Sequence, residues 1–153
     1  MSVKGVKRNS KEKIMSARIA TLLMDAMRPD PWRQVRLPTA TVVATDSQTA
    51  IVDGLRDVCS ALGWTISIHD ADRTNLNDVA ENRSPLAESI SHAVMSDRNW
   101  LFVLRGSNRA LLEDHRCSGL LDRWGRSARL VVVSDELGAG QADWSRVRID
   151  GKV

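Results

Sequence analysis

No apolar run in the 153 residues approaches the ~20 that a membrane-spanning helix needs, which excludes that class. The N-terminus is basic, but no secretory apolar core or cleavage pattern follows it, so no export signal is read. The two cysteines, Cys59 and Cys117, are too few for a disulfide framework and offer too few ligands for a metal site. Free thiols in a reducing compartment are therefore expected, with the cytoplasm as the location. Aromatic residues make up 4 % of the chain, and its basic front carries none beyond Trp32. That argues against base stacking on single-stranded nucleic acid.

Familiar catalytic motifs are missing as well. A phosphate-cradling loop needs GxxxxGK[ST], because glycines let the backbone wrap the phosphates and the lysine reaches them. The first strand–helix turn reads ATDSQTA, with neither. The dinucleotide fingerprint GxGxxG is absent from the same turn, and Arg105-Gly106-Ser107-Asn108-Arg109 does not supply the hydrolase elbow GxSxG. His69, His92 and His115 fall on separate elements, and no Cys/His spacing forms a metal site. No catalytic residue, metal or cofactor is assigned.

What remains is the composition of an ordinary globular domain, 42 % apolar and 27 % charged. The length suits one domain with a sizeable core. The net charge of +3 is uneven: residues 1–36 hold nine Lys/Arg against three acids, and the remainder 13 against 16. Every lysine but Lys152 lies in the first 13 residues, a bias associated with GC-rich bacterial sources. Residues 1–9 read as a basic disordered tail, whose Lys4, Lys7 and Arg8, with Lys11 and Lys13 beyond, are candidates for nucleic-acid phosphates. Residues 10–28 read as an amphipathic helix ended by Pro29 and Pro31, and Ile19, Leu22, Leu23 and Met27 on its apolar face are candidates for self-association or partner docking. Residues 29–38 form a proline-bounded connector in which Trp32, Val35 and Leu37 could make a short edge strand.

The α/β domain spans 39–153 and is organised around its first unit. Thr41–Ala44 is a short β-branched run that suits a strand buried on both faces. After a polar break, Ile51, Leu55, Val58 and Leu62 recur at helical spacing, and Gly63 stops the helix. Trp64–His69 reads as a second strand. A helical turn or two follow in Asn75–Asn82, and Ser84-Pro85 opens a better helix with Leu86, Ile90, Ala93 and Val94 on one face. Trp100–Leu104 is the third strand, with a helix from Arg109 to Trp124 behind it. Gly125–Arg129 reads as loop, Leu130–Ser134 as the fourth strand, and Trp144–Ile149 as a short last one. Alternating strands and helices predict a three-layer α-β-α sandwich with a mostly parallel sheet of four or five strands.

In such a sheet, ligands bind beyond the carboxyl ends of the strands. Those ends offer Asp46, Ser47, Asp70, Arg105, Ser107, Ser134 and Asp135 as candidates: Arg105 for a phosphate, the acids for a cation. Polar residues also cap helices and terminate strands in every α/β fold, so each has a structural reading beside the functional one.

The stretch TVVATDSQTAIVDGLRDVCSALGWTISIHDA resembles the front of a response-regulator receiver domain. Asp46 matches the second acid of that family's pair, while Thr45 stands at the first. WLFVLRGS places Arg105 where the phosphorylated aspartate belongs, and Ser134 matches the Ser/Thr that ends the fourth strand. The spacer Arg73–Asn99 is longer than a receiver's, and the family's lysine has no match. The resemblance implies a flavodoxin-like fold and a degenerate, non-phosphorylatable receiver acting as a docking surface. Three functions follow as expectations. The first is a non-enzymatic bacterial regulatory or protein–protein interaction module; the second, a small nucleotide-binding protein or enzyme with its site on the rim. The third is a nucleic-acid-associated protein using the basic front.

Overall fold

The structure is a computed structural model. It describes residues 19–21, 40–81, 83–106, 108–114, 128–141 and 144–150. The expected tail, the connector strand and most of the N-terminal helix lie outside these residues, as do Cys117 and His115.

Five strands form one parallel sheet: β1 (Ala40–Ala44), β2 (Thr65–Asp70), β3 (Trp100–Arg105), β4 (Ala128–Ser134) and β5 (Ser145–Arg148). Between them run α1 (Gln48–Leu62), a 3-10 turn (Ala71–Arg73), α2 (Leu76–Ala80), α3 (Pro85–Met95) and α4 (Arg109–Leu112). The α1 helix ends as its sequence dictates. Gly63 takes the left-handed conformation at φ 71°, and its N–H reaches back toward the last carbonyls. The α3 helix begins with Pro85 in its first turn, and the Ser84 side chain accepts from the Ala87 N–H at 3.1 Å.

β4 starts at Ala128, two residues before the expected Leu130. Its pairing explains the extension, because Trp100 and Leu101 of β3 take Ala128 and Arg129 as register partners. The α4 helix ends at Leu112 with Glu113 as its C-cap, so the expected continuous helix from Arg109 to Trp124 is interrupted there; the residues beyond Asp114 lie outside the described ones.

Each interior strand feeds two cores, because successive side chains point to opposite faces. On one face Val42, Phe102, Leu104, Leu130 and Val132 pack with Leu86, Ala87, Ile90 and Ala93 of α3, Leu111 and Leu112 of α4, and Trp144. On the other, Val43, Leu101, Val103, Val131 and Val133 pack with Ile51, Val52, Leu55, Val58 and Cys59 of α1. Ala20 is buried in this second core, and Ile19 packs against it. Ile19, a candidate for partner docking by sequence, is thus half-buried against the chain's own core; Leu22, Leu23 and Met27 fall outside the described residues. Burial raises the Cys59 thiol to about 11, which leaves it protonated and inert.

The strand order is β2-β3-β4-β1-β5. The layers and the parallel sheet are those expected, but flavodoxin-like folds order their strands 2-1-3-4-5. Here β1 sits between β4 and β5, and β2 lies at the far edge. The β1→β2 crossover runs one way along the sheet, and all later crossovers run the other way. Right-handed crossovers then place α1 alone on one face and the later helices on the opposite one, as the two cores record.

Phe102 is fully buried and stacks on Trp100, with ring centroids 5.7 Å apart. Phe102→Ala is expected to cost about 3–5 kcal/mol in chemical denaturation; a loss under about 1 kcal/mol would contradict its place in the α3-side core.

Candidate functional site

Neighbouring strands lie about 4.8 Å apart, so strand order decides which rim residues can meet. Thr45-Asp46-Ser47 leaves β1 and is fastened to its two neighbours. The Thr45 N–H donates to the Ser134 carbonyl of β4 at 2.8 Å, and the Asp46 N–H donates to Asp150 Oδ1, just past β5, at 3.2 Å. Asp150 also takes the Arg148 guanidinium at 2.9 Å. Within the turn, the Ser47 N–H donates to the buried Thr45 hydroxyl at 2.9 Å, and Ser47 Oγ donates to Asp46 at 3.0 Å. All three backbone N–H groups of the turn are thus already occupied.

Asp70 ends β2 three strands away, so it stands roughly 14 Å from Asp46 along the rim. Its carboxylate accepts the Asp72 N–H at 3.0 Å and pairs with Arg73 at 3.6 Å, capping the 3-10 turn. Arg105 ends β3 and extends toward α1, where Nη2 donates to Thr49 Oγ1 at 3.0 Å. Ser134, fully buried at the end of β4, accepts the Glu136 N–H at 3.2 Å. Asp135 beside it is exposed, and Ser107 lies outside the described residues.

The rim is therefore not one converging site but several local clusters. The structure brings together Asp46 and Ser47 with Asp150, and Arg105 with Thr49. Asp70 is the register partner of Arg105 on the neighbouring strand and stands apart only from the Asp46 cluster. Among the described residues, no group of three or more His, Cys, Asp and Glu is placed to hold a metal ion. The basic candidates Lys4, Lys7, Arg8, Lys11 and Lys13 lie outside the described residues.

Two rim residues were not singled out from the sequence. Asn108 donates to the carbonyls of Ala71 at 2.8 Å and Thr74 at 3.4 Å, while its side-chain oxygen caps α4. Its signal was the Asn just before a helix start. Asp150 carried none, because only the sheet brings β5 beside β1.

In a 2-1-3-4-5 sheet the ends of β1 and β3 are neighbours, whereas here β4 separates them and Asp46 stands roughly 10 Å from the end of β3. Arg105, not a carboxylate, occupies that end. No protein-family model matches the chain, and a search of curated proteins finds no match.

Two outcomes are expected. Acetyl phosphate or beryllofluoride with Mg²⁺ leaves the protein unmodified, since no carboxylate nucleophile stands at the end of β3; a phosphoaspartate found by mass spectrometry would contradict this. Gly106 has φ +127°, and a Cβ there would lie 2.8 Å from Asp72 Oδ2. Gly106→Ala should therefore cost about 1–3 kcal/mol in thermal unfolding. Adding Asp72→Ala should recover only the share owed to the clash; an unchanged stability of the single variant would contradict both sources of strain.

Proposed function

We propose that the chain is a non-enzymatic regulatory or interaction module that docks a second copy of itself along the β2 edge. The observation that carries this reading is the character of that edge. β2 is six residues long and half-exposed from Thr65 to His69, and Ile66 and Ile68 sit in its middle. Edge strands are commonly protected by lysine, proline or bulges; Thr65–Ile68 has no charge and no proline.

Its flanks are apolar too. Leu62 (43 % exposed) closes α1 just before β2, and Val94 (53 %) and Met95 (87 %) close α3 just before β3. They belong to the amino-terminal corner of the sheet, where the Thr65 N–H bonds the Asn99 carbonyl. Antiparallel pairing of β2 with itself about a two-fold axis would bring no like charges face to face over Thr65–Ile68. The rim supports the same reading, because Asp46, Asp70 and Asp150 are engaged in holding loops in place.

A second reading draws on the strand order. β1 sends its crossover to one face and β4 to the other, so their carboxyl ends flank the topological switch point where open α/β sheets bind ligands. Arg105 beside Thr49 at the start of α1 offers a positive charge there. A rise in melting temperature with nucleotide or phosphate would favour this reading over docking.

The docking reading predicts an oligomer for the full chain by light scattering, reduced to monomer by Leu62→Lys with Met95→Lys. Both positions are exposed, so the melting temperature should hardly move. A monomeric full chain, or a double variant that keeps its assembly, would overturn the reading.

A further inference from the structure

The backbone groups of β2 show which of them are open to a partner strand. The Thr65 N–H donates to the Asn99 carbonyl, at the head of β3, at 2.9 Å. The N–H and C=O of one strand residue point to the same side, and those of its neighbours to the other. Thr65, Ser67 and His69 therefore bond to β3, while Ile66 and Ile68 turn both backbone groups outward, where no described strand follows β2. The helix layers leave this edge open. On one face α3 packs with Phe102, Leu104, Leu130 and Val132, and on the other α1 packs with Leu101, Val103, Val131 and Val133. β2 stays half-exposed from Thr65 to His69.

We infer that two copies join their sheets through an antiparallel β2–β2 pair with Ser67 on the two-fold axis, in which Ile66 of each copy exchanges backbone hydrogen bonds with Ile68 of the other. The inference rests on the docking reading above and adds the register to it. Parity removes half of the possible registers, because outward-facing residues must oppose outward-facing residues. Ile66 can thus face Ile66, Ile68 or Asp70 of the second copy, but not Ser67. The ends of the strand choose among these. β2 is bounded by the left-handed turn at Gly63 and by the 3-10 turn that begins at Ala71. With Ser67 on the axis, Trp64–Asp70 of one copy spans the same stretch of the other without overhang. An axis at Ile66 carries Asp70 to the level of Leu62, which belongs to α1. An axis at Ile68 sets Trp64 against Asp72 in the 3-10 turn and Ile66 against the Asp70 carboxylate.

Charge and side-chain matching select the same arrangement. With His69 neutral, Asp70 carries the one formal charge of the strand. It falls opposite Trp64 of the second copy and stands roughly 20 Å from the other Asp70. Parallel pairing in register would instead set the two carboxylates side by side. On the α1 face, Ile66 meets Ile68 of the second copy. Both isoleucines already pack against the α1-side core, so the two cores become continuous across the axis. On the α3 face, Thr65 meets His69 and Ser67 meets Ser67, with no carboxylate in either pair.

Ser67→Cys tests the axis. Residues opposed in a non-hydrogen-bonded pair lie about 4.5 Å apart at Cα, within disulfide range; moving the axis by one residue separates the two Ser67 Cα atoms by about 8 Å, beyond it. Mild oxidation of the full-length Ser67→Cys chain should give a disulfide-linked dimer on a non-reducing gel, many-fold above the unsubstituted chain, whose Cys59 is buried. Hydrogen exchange on the unsubstituted chain gives a second readout. On dilution to the monomer, the Ile66 and Ile68 amides should lose protection about ten-fold or more, while those of Ser67 and His69 keep theirs. Failure of Ser67→Cys to cross-link in an oligomer would overturn the register and leave edge docking standing, and cross-linking through Ile66→Cys or Ile68→Cys would name the register that replaces it. An oligomer whose Ile66 and Ile68 amides exchange freely would overturn docking by this edge, and a chain monomeric at every concentration would overturn both.

Discussion

The pairing of β1 with β4 is the constraint on which the rest of the molecule depends. Val42 opposes Val132 and Val43 opposes Val133, one pair feeding each core. A slip of one residue would exchange the two faces and aim every side chain at the wrong helix layer. Burying a valine or leucine fully contributes about 1.5–3 kcal/mol, so the register is held by many such terms at once. The same pairing carries the chain into the rim, where the Thr45 N–H finds the Ser134 carbonyl.

At the rim, polar side chains stabilise the loops. Thr45 and Ser134 are almost wholly buried, and each accepts a backbone N–H two residues on. This satisfies groups that would otherwise cost about 1–3 kcal/mol each if left unpaired. The loop before β5 is organised similarly by Arg146, whose guanidinium donates to the carbonyls of Leu137, Ala139, Gln141 and Trp144. One cation thereby fixes a long glycine-containing loop. Arg109, placed between Glu113 and Glu136, ties the start of α4 to the loop after β4. These pairs are exposed and individually weak, but they set loop positions over a rigid sheet.

The two edges of the sheet are unequal. β5 is four residues long and carries arginines, a common protection against unwanted pairing. β2 is longer and lacks such protection over most of its length. Its α3 face is polar, so α3 is held there by hydroxyls and an imidazole in addition to the apolar contacts it makes with β3 and β4.

The sequence by itself determined the elements and their layers. β-branched runs at Val42-Val43 and Val131-Val132-Val133, helical spacing from Ile51 to Val58, Gly63 as a stop and Ser84-Pro85 as a start are local signals with local causes. The alternation of Ile66 and Ile68 with Ser67 and His69 already carried the mark of a strand covered differently on its two faces. Strand order was another matter. A crossover's length and composition do not say whether the chain turns left or right along the sheet, so β1 could stand beside β3 or beside β5. That choice separates Asp46 from the end of β3, draws Asp150 to Asp46, and leaves Asp70 beside Arg105 at an edge. Only the tertiary structure decided which rim residues became neighbours, because proximity between strand ends is a property of non-local pairing and no residue encodes it alone.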